Sequence, residues 1–96
     1  MPARPEPRAF RAVIHGRVQG VGFRFSAIRE ARALGIRGTV ANRADGSVEI
    51  AAEGETEQIS RFLAWLERGP PGARVRGVDL EWVPFSGRWT DFDVDF

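Results

Sequence analysis

The residues with the clearest capacity for chemistry lie in one short run, Gly16-Arg17-Val18-Gln19-Gly20-Val21-Gly22-Phe23-Arg24. It joins a segment of strand character to one of helical character. Three glycines permit a tight loop there, in which successive backbone N–H groups can turn inward. The helix N-terminus that follows adds positive potential. The stretch from Gln19 through Gly20, Val21 and Gly22 to Phe23 can therefore cradle an anion such as a phosphoryl group. The spacing matches neither the nucleotide P-loop nor the dinucleotide fingerprint, and glycine content alone is also what a plain turn requires.

Arg24 adds a second feature. A cation in the first turn faces the unfavourable end of the helix dipole. No Asp or Glu in the loop offsets it. A bound phosphate would remove the conflict, with Arg24 and the loop amides converging on it. By the residues alone, an Arg24 turned to solvent accounts for the pattern equally well. Asn42 is the second candidate, at the end of the next strand segment. It can hold a water molecule, or simply open the turn Asn42-Arg43-Ala44-Asp45-Gly46.

The elements that must position these residues follow from periodicity. Phe10–Arg17 alternates as a strand, with Phe10, Ala12 and Ile14 on one face. A helix over Phe23–Leu34 carries the stripe Ala27, Ile28, Ala31 and Leu34, and Gly35 ends it. Ile36–Asn42 and Ser47–Gly54 read as strands joined by the Asp45-Gly46 hairpin signal, with Glu49 and Glu53 outward. A second helix, from Glu55 or Thr56 to Arg68, presents Ile59, Phe62, Leu63 and Leu66. The run Gly69-Pro70-Pro71-Gly72 stops it. Val78–Val83 and Asp91–Phe96 alternate as two further strands.

The order β-α-β-β-α-β-β predicts an α+β ferredoxin-like βαββαβ sandwich with an additional C-terminal strand, an antiparallel sheet with both helices on one face. In such a split βαβ unit the first two strands are parallel and the third lies between them. The anion loop and Asn42 then fall at the same end of the sheet. The expected core comprises Ile14, Ile28, Leu34, Val40, Ile50, Phe62, Leu66, Leu80 and Val94. Residues 1–9 are expected to form a flexible tail and 10–96 the domain.

Composition bounds the possibilities. Ninety-six residues fit one domain. With no cysteine, thiolate catalysis, disulfides and Cys-ligated metal are excluded. No apolar run approaches the roughly 18 residues that span a bilayer. Met1–Arg8 lacks the apolar stretch of a secretion signal. A cytoplasmic monomer that needs neither membrane nor nucleic acid is the expectation. All fourteen basic residues are Arg. Five of them lie in residues 1–28 against Glu6 alone, whereas residues 79–96 carry five acids against Arg88. A basic N-terminal third attracts anions.

The run Gly16–Arg24 resembles the acylphosphatase family's phosphate-loop motif, G-x-V-Q-G-V-x-[FY]-R. Ala33-Leu34-Gly35-Ile36-Arg37-Gly38-Thr39-Val40-Ala41-Asn42 resembles the same family's second motif, A-x-x-L-G-[LI]-x-G-x-V-x-N. Asp45–Glu49, Gly54, Gly69-Pro70 and Ala73-Arg74-Val75 also fit, in register over residues 10–96. One departure is Thr39, where many members have an aromatic. The resemblance implies hydrolysis of acyl phosphates to a carboxylate and inorganic phosphate. Arg24 and the backbone of Gln19, Gly20, Val21, Gly22 and Phe23 would bind the phosphoryl group, and Asn42 would orient the attacking water. Neither metal nor cofactor is implied, and inorganic phosphate is expected as a product inhibitor. His15 lies outside the motif and reads as a solvent-face strand residue.

Two rival readings keep the fold. Arg17–Phe25 loosely echoes an RNA-recognition consensus, but that consensus belongs on the third strand, and Ser47–Gly54 has no aromatic. A non-catalytic anion-binding or regulatory domain is the other rival. A related domain begins a hydrogenase-maturation carbamoyltransferase. The sequence ends at Phe96 with no zinc-finger-like Cys clusters after it, so a stand-alone enzyme is the expectation.

Overall fold

A computed structural model describes residues 6–95. Seven elements follow in chain order: β1 (Pro7–Arg17), α1 (Phe23–Ala33), β2 (Arg37–Asn42), β3 (Val48–Glu55), α2 (Thr56–Arg68), β4 (Arg74–Val83) and β5 (Phe92–Val94). The strands form one sheet in the order β4-β1-β3-β2-β5. β3 pairs antiparallel with both β1 and β2, so β1 and β2 run parallel on either side of it. Both helices pack on one face, as the alternation predicts. Phe10, Ala12 and Ile14 of β1 and Val48, Ile50 and Ala52 of β3 meet Phe23, Ala27 and Ala31 of α1 and Ile59, Phe62 and Leu66 of α2. Phe62 is the hub of this core: its ring lies 6.4 Å from Phe10, 5.6 Å from Phe92 and 6.2 Å from Trp65.

Several expectations need correction. The chain enters the sheet at Pro7, where a tail was expected, because Pro7 and Arg8 pair with Glu55 and Gly54 and Ala9 is buried. Residues 1–5 of that tail, and Phe96, lie outside the described residues. Leu80 is 42% exposed. It faces the helix side, opposite Ala12, but β4 is an edge strand that α2 covers only in part. Ile28 and Leu34 pack against the core and are half-buried, and Val94 is half-buried on β5. The last pair, β2 with β5, is parallel, so the sheet is antiparallel in three of its four pairings. Arg32 of α1 anchors β5 with a bidentate pair to Asp91, at 3.0 and 3.2 Å, and a further bond to the Phe92 carbonyl.

Glu53, expected in solvent, is buried on the opposite sheet face. The connection from β4 to β5 folds over it. Its carboxylate accepts hydrogen bonds from the Ser86 N–H and hydroxyl and from the Gly87 N–H, at 2.6, 2.7 and 2.9 Å. Burial alone would raise its pKa, but these three donors and nearby Arg88 outweigh that and hold it below the usual glutamate range. Among the described residues, no helix is long and apolar enough to cross a membrane.

Candidate active site

The loop from β1 to α1 is fixed at both ends. Val18 and Phe23 are buried in the core, and the Phe23 ring lies 5.5 Å from Trp65. Between them the backbone turns through Gly20 and Gly22, each with φ 74°. At Gly22 this left-handed conformation is the helix N-cap, a geometry that a side chain would oppose. Gly16, at the root of the loop, serves a different need. A β-bulge at His15/Gly16 brings the neighbouring strand so near that a Cβ on Gly16 would lie 2.0 Å from the Arg74 carbonyl oxygen.

The two helix N-termini differ in a way that bears on the site. α2 carries Glu57 in its first turn, and the Thr56 N–H and hydroxyl both donate to the Glu6 carbonyl. α1 has no side-chain cap and no acid in its first turn. Its first intrahelical bond runs from the Ser26 N–H to the Gly22 carbonyl. The N–H groups of Phe23, Arg24 and Phe25 precede it and point beyond the helix end. α1 thus presents uncompensated positive potential where α2 does not.

Arg24 and Asn42 are both exposed and line one cleft of about 400 Å³ with Gln19, Gly20, Gly22 and Phe23. Val21 is half-buried and packs against the core, so it contributes its backbone to the loop without lining the cleft. Asn42 reaches the cleft from the end of β2, because β3 holds β2 parallel to β1 and at the same sheet end. Among the described residues, neither the Arg24 guanidinium nor the Asn42 carboxamide is committed to an ion pair or hydrogen bond within the fold.

Sequence reasoning assigned Gln19 through its backbone and missed its side chain. The Gln19 carboxamide N–H donates to the carbonyls of Arg43 and Ser47, at 2.8 and 2.9 Å. It therefore ties the β1–α1 loop to the turn that follows Asn42. That turn is itself closed by an Arg43 N–H to Ser47 carbonyl bond of 2.9 Å and by Asp45, which accepts from the Ser47 N–H and hydroxyl. The Ser47 donors hold the Asp45 carboxyl below its ordinary pKa range. A long carboxamide set between buried Val18 and Gly20 in a glycine-rich loop is the signal in the sequence that could have suggested this tie. His15 pairs with Asp79 at 2.8 Å on the sheet face opposite the helices and does not line the cleft.

The acylphosphatase family profile matches residues 10–94. An acylphosphatase of Cupriavidus pinatubonensis is 50% identical over 80 residues, covering 83% of this chain and 87% of its own. One from Thermococcus kodakarensis is 52% identical over 74 residues, covering 77% of this chain and 81% of its own. The crystal structure of the Bacillus subtilis acylphosphatase superposes with a TM-score of 0.89 at 32% identity, over 93% of this chain and 99% of that one. The fold also occurs inside a larger protein: full-length HypF matches with a TM-score of 0.86 at 28% identity, over all of this chain and 13% of HypF. With about half of the aligned residues identical to those of acylphosphatases over most of both chains, and with the family profile and fold matched, this chain belongs to the acylphosphatase family.

Proposed function

We propose that the chain hydrolyses acyl phosphates, with Arg24 and the Gln19–Phe23 backbone holding the phosphoryl group and Asn42 orienting the water. The observation that carries this reading is the shared cleft. An acid-free, uncapped helix N-terminus, a free guanidinium and a free carboxamide line it together, the last from a different strand. Water attacks phosphorus while the P–O bond to the acyl carboxylate breaks, and the bonding pair leaves on that carboxylate. The water's proton passes to a phosphoryl oxygen, so the products are a carboxylate and dihydrogen phosphate. The leaving group is already a weak base, so positioning and charge stabilisation supply most of the acceleration. Arg24 and the amides provide the positive charge at the phosphoryl oxygens without a metal or organic cofactor.

The same reading makes inorganic phosphate a competitive product inhibitor. It makes the domain that begins with β1 at Pro7 the functional unit, acting as a cytoplasmic monomer without nucleic acid or membrane. The test is release of phosphate from benzoyl phosphate by the purified chain in excess EDTA, with phosphate as inhibitor. Metal-independent turnover with competitive inhibition is expected. A folded chain that binds phosphate at the loop without hydrolysing benzoyl phosphate would instead be an anion-binding module.

A further inference from the structure

Among the large apolar side chains that the fold leaves exposed, Phe25 stands apart. It is 67% exposed, whereas Leu80, Trp82 and Phe85 lie between 42% and 48%. Trp82 is covered on one face by the Arg8 guanidinium, 3.7 Å from its ring centre, and meets the Phe10 ring at 6.1 Å. Among the described residues, Phe25 meets no other aromatic ring and has no guanidinium as close as that one. It follows Arg24 directly in the first turn of α1 and lines the same cleft, with Ile28 one turn further along. Ile28 is half-buried and packed against the core, so its position is fixed. The Arg29 guanidinium, one turn further along α1, lies 5.9 Å from the Phe25 ring centre, a spacing at which a cation favours one ring placement. The cleft thus has a polar end at the loop amides, Arg24 and Asn42, and an apolar flank on α1.

We propose that Phe25, supported by Ile28, is a specificity-determining wall for the acyl group, selecting acyl phosphates with aromatic or bulky apolar acyl moieties over acetyl phosphate. The proposal rests on the hydrolase reading, which places the phosphoryl group at the loop. A group tethered to that phosphoryl and passing along α1 meets this ring within the first turn. Its occupant is therefore the substrate's own acyl substituent. An aryl group laid on the ring takes apolar surface of both partners out of water, whereas a methyl group takes out little. Coverage of part of one ring face corresponds to roughly a fivefold to tenfold preference.

The test has a turnover arm and a binding arm. In the first, kcat/KM is measured for benzoyl and acetyl phosphate with the wild type, Phe25→Leu and Phe25→Ala. In the second, benzylphosphonate and methylphosphonate are titrated against the same proteins. The wild type should prefer the aryl member in both arms. That ratio should fall about fivefold to tenfold in Phe25→Ala and by less in Phe25→Leu, with circular dichroism unchanged. Inhibition by inorganic phosphate should move less than twofold, which separates loss of the wall from damage to the phosphate loop. A folded Phe25→Ala that keeps the wild-type aryl preference overturns the wall, whatever its turnover. An aryl preference lost in the binding arm from a chain that hydrolyses neither substrate supports the wall and removes the hydrolase reading.

Discussion

At the scale of single residues, the cleft assigns different work to its two free polar side chains. Arg24 contacts the phosphoryl group before and during reaction, so Arg24→Ala should weaken phosphate inhibition as well as turnover. Asn42 contacts the water, so Asn42→Ala should lower kcat and leave phosphate affinity nearly intact. Loss of one preorganised polar contact typically costs about 10²–10³ in rate, and each variant should lose at least that. Steady-state kinetics with phosphate inhibition check both, and a folded Asn42→Ala with wild-type turnover would remove Asn42 from the mechanism. Gln19 acts through others. Gln19→Ala frees the loop from the Arg43–Ser47 turn, and kcat should fall by roughly 10–100-fold through misplacement of groups it does not touch. Gln19, Gly20, Gly22, Phe23, Arg24 and Asn42 were legible in the sequence as types at a spacing, whereas Phe25, Ile28 and Val94 were not singled out for the cleft. The Gln19 tie was not legible, because nothing in a linear pattern says which carbonyls a loop carboxamide will meet.

At the scale of elements, the loop depends on what lies under it. Gly16→Ala drives a Cβ into the Arg74 carbonyl at the β1–β4 bulge. Backbone rather than a flexible side chain must give way, so a loss of at least about 2 kcal/mol is expected from chemical denaturation. The Glu53 clasp on the opposite sheet face makes a pH-dependent contribution. Its folded pKa is depressed, so its stabilisation is present above the unfolded value, roughly pH 4.3, and is lost as pH falls through the lower folded value. Glu53→Gln should cost about 1–3 kcal/mol at pH 7. The gap between wild type and variant in urea midpoints should narrow at pH 3. Strands β1 to β3 and both helices were readable because their apolar residues alternate or recur at helical spacing. β4 begins at Arg74, four residues before its alternation becomes visible, because the bulge opposite Gly16 breaks the period. The burial of Glu53 depends on where the β4–β5 connection travels, and that path leaves no periodic trace.

At the scale of the whole molecule, ligand and fold share one free energy. Phosphate bound only to the folded chain stabilises it by about 2.7 kcal/mol at a hundredfold excess over Kd. For a chain of 96 residues that corresponds to a rise in Tm of roughly 10–20 °C. Thermal melts should show this rise for the wild type and Asn42→Ala and little of it for Arg24→Ala. A wild-type Tm indifferent to phosphate would argue against the cradle.

The sheet order also governs timing. Arg24 follows β1 and Asn42 ends β2, yet these strands share no hydrogen bond, since β3 lies between them. β3 contributes no group to the cleft, but until it has paired on both edges the two halves of the site have no fixed relation. β1 must also wait for β4, which joins it across some sixty residues of chain, as in the Ile14–Val78 pairing. Pairings so distant along the chain impose a large loop-closure cost before any reward, the condition that makes a domain fold slowly for its size. The cleft should therefore come into being late and all at once, with its birth limited by a strand that never touches the substrate.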